Sequence, residues 1–331
     1  MITESIGFVG DKTLPVVNPN FANRVKPYHE DIFKLNEKQK SLINFTENFV
    51  DLKVFSKSTF PNLSSENISF KSSVPDWVSV SNQPRFDTRL ENSNNPGSLL
   101  LDESWPWGVV GSVTSNGRPS GTGTLIGDRI VLTASHLVPW ELKNGECWMR
   151  FKPAYYGKNP KEEKFPYSFV DAACGYSRSP TLSKLISKKL GFGNDWAILR
   201  LKEPLGKYLG YMGFQSFDPD FVKSEPKIWN CIGYPNDVAS GMMRVLYQKF
   251  SVKDLDESDP LTYKLESVDF YHMPGNSGGP LFGWWGDDPR VVGVCSGGQK
   301  EKVKNGYEQN EIFASGEGMV RLCAWARQNW I

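Results

Sequence analysis

The sequence predicts an all-β fold in which short strands form either a sandwich or a pair of barrels. From about Ser98 onward, short runs of β-branched and aromatic residues recur at fairly regular intervals, with turn residues between them. Gly (30) and Pro (22) are frequent among the 331 residues, which is typical of a chain with many turns. The strand-like segments do not alternate with long helical patterns, as a parallel α/β sheet would require.

Ten segments carry the strand pattern, and the chain closes with a different one. In Gly318–Ile331, apolar residues fit one face of a short amphipathic C-terminal helix, which Trp325 and Trp330 are expected to anchor. The ten strand-like segments are WGVVGSV, SGTGTLIG, RIVLTAS, CWMRFKPAYY, WAILRL, KIWNCIGYP, MRVLYQKFSV, LTYKLES, RVVGVCSGG and EIFAS.

Residues 1–98 differ in composition from the remainder, residues 99–331. They are rich in Asn, Ser and Lys, with a helical pattern around Pro27–Val50 and an irregular stretch after it. We interpret residues 1–98 as an N-terminal extension, either a pro-segment or a regulatory arm. A small independent domain is the alternative.

Charge and composition argue against several classes of partner. The formal net charge is +1, with 38 Lys and Arg against 37 Asp and Glu, so neither nucleic acid nor an anionic membrane surface is expected as a partner. No apolar run reaches the roughly 18 residues that span a bilayer, and the start lacks the features of a signal peptide. The five cysteines are scattered without a CxxC pair, so no metal site and no other cofactor is predicted.

The most informative stretch is Met273–Pro280, MPGNSGGP. A serine hydroxyl becomes an effective nucleophile only with a base that takes its proton and donors that hold the oxyanion formed. Glycines on both sides of Ser277 allow a tight turn whose N–H groups can face a substrate. Ser277 is therefore the candidate nucleophile of an acyl-transfer site.

The same residues also satisfy the G-x-S-x-G elbow of α/β-hydrolases. That fold places its catalytic histidine after the serine in the chain. Here the three histidines, His29, His136 and His272, all precede Ser277. The elbow interpretation fails because no residue could act as its base.

A different triad order, His then Asp then Ser, fits the chain. His136 ends the segment VLTASH after a strand-like run, and Asp195 lies in NDWAIL at the start of another. We predict that His136 is the general base, that Asp195 orients it, and that Ser277 is the nucleophile. These three residues lie far apart in the chain, which favours a site assembled from loops of two packed barrels.

From Ser104 to Ile331 the sequence resembles the trypsin/chymotrypsin-like serine peptidases. Within that family, details such as Asn276 make it more similar to the bacterial and fungal glutamyl-endopeptidase-like branch than to digestive trypsins. The resemblance implies two packed six-stranded Greek-key β-barrels, at residues 99–205 and 206–331, with a C-terminal helix. The segments that carry it are SWPWGVVGSV, SGTGTLIGDRIVLTASH, GNSGGPL and VVGVCSGG.

The resemblance implies a serine endopeptidase, expected to be monomeric, that cleaves protein or peptide substrates through an acyl-enzyme. A catalytically silent binding module with the same fold is the alternative. Relatives are often secreted, whereas this start shows no signal peptide, so the compartment is left open. The resemblance also implies an oxyanion hole formed by the backbone N–H groups of Gly275 and Ser277, and substrate contacts at Tyr271, His272, Ser296, Gly297 and Gly298.

Two departures from the family pattern affect activation and specificity. Asn276 stands where digestive enzymes carry an Asp that pairs with a new N-terminal ammonium, and a neutral amide cannot form that ion pair. Removal of the extension, with Arg89–Leu90 as a candidate cleavage point, could still unblock the cleft. No Asp lies at the expected base of the specificity pocket, and Cys295 replaces the histidine of glutamyl-specific relatives. Neither a basic nor an acidic preference is therefore predicted.

Overall fold

A computed structural model describes residues 8–13, 70–71, 86–87, 96–103, 105–115, 118–139, 149–155, 167–176, 192–219, 227–259, 262–271, 273–285, 288–303 and 306–330. For 8–13, 70–71 and 86–87 it describes the backbone only. The predicted helix at Pro27–Val50, the candidate cleavage point Arg89–Leu90 and the predicted pocket residue His272 lie outside the described residues.

The described residues form mostly β-strands, as the sequence predicts. Two α-helices accompany them, α1 (Leu205–Leu209) and α2 (Glu317–Asn329). No helix in these described ranges is long and apolar enough to cross a membrane. The strands, in chain order, are β1 (Phe8–Thr13), β2 (Phe70–Lys71), β3 (Phe86–Asp87), β4 (Ser98–Leu100), β5 (Val110–Ser115), β6 (Arg118–Gly127), β7 (Ile130–Thr133), β8 (Met149–Pro153), β9 (Ser168–Tyr176), β10 (Ala197–Leu201), β11 (Gly213–Phe214), β12 (Trp229–Gly233), β13 (Val245–Phe250), β14 (Asp254–Asp259), β15 (Thr262–Ser267), β16 (Pro280–Trp285), β17 (Asp288–Val303) and β18 (Gly306–Ser315).

Six strands of the first sheet close into an antiparallel barrel. The order around the barrel is β5, β6, β7, β10, β9 and β8, and β8 pairs back with β5. β7, with the sequence Ile-Val-Leu-Thr, is buried along its whole length, so its apolar run faces protein on both sides. β1, from the predicted extension, pairs with β9.

The second sheet is larger and is built around the β17–β18 hairpin. Its strands follow the order β14, β15, β18, β17, β16, β12, β13, β4 and β3, while β11 pairs with β17 and β2 with β16. Three aromatic rings fill its interior, those of Phe250, Phe270 and Phe313, with centroids 5.0–5.8 Å apart. Together the two sheets confirm the predicted fold of two packed barrels.

The chain reaches the first barrel by way of the second sheet. β4 pairs with β13, and the buried Arg244 at the start of β13 fixes the segment that follows β4. Its guanidinium donates to the carbonyl oxygens of Asp102 (2.8 Å) and Trp107 (2.5 Å). These contacts tie the entry of the first barrel to the second. The boundary at residue 98 between extension and barrels stays a prediction.

The predicted C-terminal helix is confirmed as α2, which returns the chain end to the first barrel. Its apolar residues join the same buried cluster as the first-barrel strands, and Trp325 packs edge-to-face on Trp330 at 5.4 Å. Arg327 donates to the carbonyl oxygens of Ile126 and Met212. Burial lowers the pKa of Arg327 to about 10, so the side chain is still charged at neutral pH.

All ten strand-like segments of the sequence contain strands, but after residue 98 three strands of six or more residues were not predicted. β9 contains small residues and an Asp, β14 is acidic, and β16 follows directly on the glycine-rich serine motif. None has the alternation or the β-branched composition that identifies a strand in isolation. Their strand conformation depends on pairing with neighbours already in the sheets.

Candidate active site

His136 and Asp195 meet where two paired strands of the first barrel end. His136 lies in a 3₁₀ turn after β7, Asp195 just before β10, and Thr133 of β7 pairs with Ala197 of β10. His136 Nδ1 lies 2.7 Å from Asp195 Oδ2, and the His136 backbone N–H donates to Oδ1 at 2.9 Å. The carboxylate therefore fixes both the ring and the backbone of the histidine, with Nδ1 as the protonated nitrogen that donates to it.

A third donor to the same carboxylate comes from the second barrel. Ser296 Oγ, on β17, donates to Asp195 Oδ2 at 2.5 Å. Asp195 is fully buried, with an exposed fraction of 0%, and a buried carboxylate is tolerated only when its oxygens are hydrogen-bonded. Three donors from two barrels meet that requirement and hold the carboxylate at the junction between them.

The loop around Ser277, residues 273–279, is folded by two glycines with positive φ, and we call it the serine loop. Asn276 N–H donates to Met273 O at 3.0 Å, closing a turn in which Gly275 has a φ of 100°. Gly278 has a φ of 81°, and its N–H donates to Cys295 O at 2.7 Å. Left-handed backbone at both positions presents Ser277 at the tip of the loop.

This loop packs directly against the turn that carries His136. A Cβ on Gly278 would lie 2.3 Å from Thr133 Oγ1 and 2.9 Å from the nitrogen of Ala134. A Cβ on Gly121 would lie 2.6 Å from Ser277 O and 2.7 Å from a methyl carbon of Leu137, the residue after His136. Because these two glycines have no side chains, the serine loop can approach the 3₁₀ turn that carries His136, the histidine turn.

Thr122 of β6 is the residue that binds the loop to the first barrel. Its N–H donates to Ser277 O at 2.8 Å, and its Oγ1 donates to Gly275 O at 2.8 Å. The same Oγ1 accepts from the N–H of Tyr234 at 3.1 Å. Thr122 is fully buried, so these bonds are shielded from water.

Two backbone N–H groups of the loop are directed away from the protein framework. Pro274 O accepts from Asn236 N–H at 2.8 Å, so the Gly275 N–H of the same trans peptide points the opposite way. The N–H groups of Asn276, Gly278 and Gly279 donate to other backbone carbonyls, whereas those of Gly275 and Ser277 donate to none within the described residues. An oxygen bound beside Ser277 could accept from both.

Comparison with known proteins identifies the family of the chain. The model of the family described as Trypsin matches residues 97–311, more than half of the chain. The chain belongs to the trypsin family. The resemblance to the trypsin/chymotrypsin-like serine peptidases, which the serine and histidine motifs carry in the sequence, is thereby confirmed.

Two relatives of this trypsin-family chain show distant similarity to it. Exfoliative toxin A of Staphylococcus aureus is 26% identical over 202 residues, which cover 59% of this chain and 62% of the toxin. The match therefore spans less than two thirds of the toxin. A solved structure of a Glu endopeptidase in complex with MPD superposes with a TM-score of 0.52 at 17% identity, covering 72% of this chain and 99% of that one. At that identity the likeness concerns the fold.

In this trypsin-family chain, Tyr247 accepts a hydrogen bond from Asn276, the residue before Ser277. Asn276 has an exposed fraction of 0%, and its Nδ2 donates to Tyr247 Oη at 3.1 Å and to Tyr271 O at 3.3 Å. Tyr247 is itself fixed by edge-to-face packing on Phe270 at 4.8 Å. The sequence motif did not indicate Tyr247, because it lies on β13, remote in the chain from Asn276.

Replacing Tyr247 with Phe is expected to lower kcat for peptide cleavage about threefold to tenfold with little change in KM. The change removes one hydrogen bond of roughly 0.5–1.5 kcal/mol that positions the loop, while the ring and its packing stay. Steady-state kinetics on one peptide measures both constants. Tyr208→Phe, at a residue 76% exposed, is the control and should match wild type. A change in KM alone would contradict a positioning role.

The residues predicted to contact substrate lie in different environments. Gly297 and Gly298 follow Ser296 on β17; Gly297 faces Phe192, and Gly298 is exposed. Tyr271 is partly buried, packs against the second core, and binds Asn276 through its backbone carbonyl. The structure thus brings Ser296, Gly297 and Gly298 beside the site. Tyr271 lies behind the serine loop.

Proposed function

We propose that this chain is a serine endopeptidase that hydrolyses peptide bonds through an acyl-enzyme, with His136, Asp195 and Ser277 as its triad. The observation that carries the proposal is the pair His136–Asp195, with Nδ1 and Oδ2 2.7 Å apart, beside the serine loop packed on the histidine turn. Membership of the trypsin family supports the same reaction class.

In the proposed reaction, Ser277 Oγ attacks the carbonyl carbon of the scissile peptide bond. The Nε2 atom of His136 takes the hydroxyl proton and passes it to the leaving amine, which leaves an ester on Ser277. Water, activated by the same nitrogen, hydrolyses the ester. Asp195 holds the histidine tautomer that this proton transfer requires, because it accepts at Nδ1.

The charge that develops on the carbonyl oxygen would be stabilised by Gly275 and Ser277. Their N–H groups are directed away from the loop framework, and the turn that orients Gly275 is fixed by Pro274 O and Asn236 N–H. Donors already in place act without reorganisation in the transition state, and losing one typically costs on the order of 10²–10³ in turnover. The exposed backbone after Ser296 would pair with an extended substrate as an added strand.

The hydrogen bonds of the Asn276 side chain indicate how such an enzyme would become active. Its side chain is bound by Tyr247 and Tyr271, both within the second barrel. The loop therefore has an internal anchor where digestive relatives use an ammonium group. We propose that activation does not depend on a new N-terminus at this position.

Labelling with a fluorophosphonate tests the proposal, because the reagent reacts only with an activated serine. Wild type is expected to be labelled and to cleave casein, and Ser277→Ala is expected to lose both properties. Ser251→Ala is the matched control, since Ser251 is also buried but binds Asp269, which is not a member of the proposed triad. Absence of labelling, both in the full chain and after limited proteolysis, would favour a catalytically silent binding module.

A further inference from the structure

The hairpin of β17 and β18 extends well past the backbone that we assign to substrate binding. β17 continues from Ser296 to Val303, and it pairs with β18 as far as the register Val303–Gly306. Substrate pairing at Ser296–Gly298 uses only the first part of this segment. The rest of β17, residues 299–303, serves neither the triad nor the oxyanion donors, and none of the predicted substrate contacts lies there.

One edge of this segment carries no strand among the described residues. β16 covers that edge of β17 only up to the register Pro280–Val294, and backbone hydrogen bonds between Cys295 and the serine loop follow. From Ser296 to Val303, the strands that the structure describes pair with β17 on the β18 side alone. The edge therefore begins at the serine loop and leads away from it, and an extended peptide can pair along it.

The side chains along this segment give the edge a positive charge. Gly298, Lys300 and Lys302 are exposed, while Gly297 and Gln299 are only partly so. Successive side chains of a strand point to opposite faces, so the two ammonium groups lie on the same face as Gly298. Beyond Gly298, the exposed charges that the structure describes in the hairpin are both positive.

A peptide bound on this edge would reach both lysines. Lys300 and Lys302 lie four and six residues beyond Ser296. If the residue before the scissile bond lies beside Ser296, antiparallel pairing places the fifth residue before the bond beside Lys300 and the seventh beside Lys302. Directly opposite residues of two paired strands project to the same face, so these peptide side chains would lie next to the lysines.

We propose that this edge is an extended substrate-binding site that selects acidic side chains at the fifth and seventh positions before the scissile bond. The inference rests on the proposed peptidase function. Backbone pairing holds the peptide strand, and Lys300 and Lys302 attract the carboxylates beside them. The occupant is an extended acidic segment of a substrate, because the edge is continuous with the backbone at Ser296 and its exposed charges are positive.

The first test uses peptides built on one casein segment that differ only at the fifth and seventh residues before the cleaved bond. Two Asp residues there are expected to give about tenfold higher kcat/KM than two Lys residues, because the exchange replaces attraction by repulsion at two exposed positions. The difference should lie mainly in KM and should shrink at 1 M salt, where the Debye length is about 3 Å. The same Asp and Lys residues placed after the bond are the control for net charge.

Charge reversal at the two lysines tests the assignment to this edge. Lys300→Glu combined with Lys302→Glu is expected to reverse the preference in favour of the Lys peptide, and since both residues are exposed, the fold should be retained in circular dichroism. Lys202→Glu combined with Lys207→Glu is the matched control. These lysines are also exposed, at and after the end of β10, so the net charge changes equally and the wild-type preference should remain.

The second test does not need catalysis. An alternating Asp–Thr octapeptide carries a carboxylate at every second residue, so it can place two of them beside the lysines in more than one register. It is expected to bind the Ser277→Ala variant about tenfold more tightly than the Lys–Thr octapeptide, as measured by fluorescence anisotropy of a labelled peptide. The variant with both lysines reversed should lose this difference.

The outcomes separate this inference from the proposed function. Fluorophosphonate labelling with equal cleavage of the Asp and Lys peptides would overturn the extended site and leave the peptidase intact. An Asp preference that survives charge reversal at Lys300 and Lys302, or that also arises from Asp placed after the bond, would overturn it as well. Octapeptide binding that depends on these lysines, in a chain that is never labelled, would support the binding edge and overturn the peptidase.

Discussion

Replacing Asp195 with Asn is expected to lower kcat/KM for peptide cleavage about 10⁴-fold while the protein stays folded. Asp195 accepts from His136 Nδ1 at 2.7 Å, and an amide in its place can present an N–H to that nitrogen. The ring would then carry its proton on Nε2, which is the nitrogen that must accept the proton of Ser277. The measurement is steady-state kinetics on a peptide that wild type cleaves.

The control for this variant is Asp171→Asn, on β9. Asp171 binds Arg200 at 2.7 Å in a partly exposed ion pair, so its loss should change activity by less than twofold. Circular dichroism checks that both variants are folded. If Asp195→Asn retained more than a tenth of wild-type activity, another residue would have to orient His136, and the proposed triad would be wrong.

Replacing Gly278 with Ala is expected to destabilise the protein by more than about 4 kcal/mol or to prevent folding altogether. Gly278 has a φ of 81°, which is strained for a residue with a side chain. In addition, the new Cβ would lie 2.2 Å from Thr122 O and 2.3 Å from Thr133 Oγ1. Neither atom can retreat easily, because both belong to buried strands of the first barrel.

Gly306→Ala separates the two causes of that loss. Gly306 also has a positive φ, 143°, but among the described residues no atom beyond its chain neighbours lies within 4 Å of the position of its Cβ. Its replacement should cost about 1–3 kcal/mol, from backbone strain alone. Guanidinium unfolding measures both variants. Equal losses at the two positions would show that the serine loop is not packed on the histidine turn as closely as described.

The extension contributes to both barrels rather than to one. Backbone of β1 pairs with β9 in the first sheet, and β2 and β3 pair with strands of the second. Strand pairing of this kind makes the stability of the barrels depend in part on residues before the predicted boundary at 98. Whether residues 1–98 are a pro-segment or a regulatory arm stays a prediction.

Local signals in the sequence identified the elements whose formation depends on near neighbours in the chain. The apolar run of β7, the periodicity of α2 and the glycines around Ser277 each carry their own physical reason for the structure they adopt. The histidine count excluded the hydrolase elbow, and the order of His136, Asp195 and Ser277 predicted the triad. Hydrophobic periodicity and backbone freedom are properties that a short segment carries by itself.

Only the tertiary structure revealed Thr122 and Tyr247. Thr122 binds the serine loop across 153 residues of chain, and Tyr247 binds Asn276 from β13. A threonine and a tyrosine on strands have no distinctive pattern, since their roles depend on which segments pack against them. Pairing and register are decided by the packing of whole sheets, so a residue whose function is a contact is visible only once the sheets have formed.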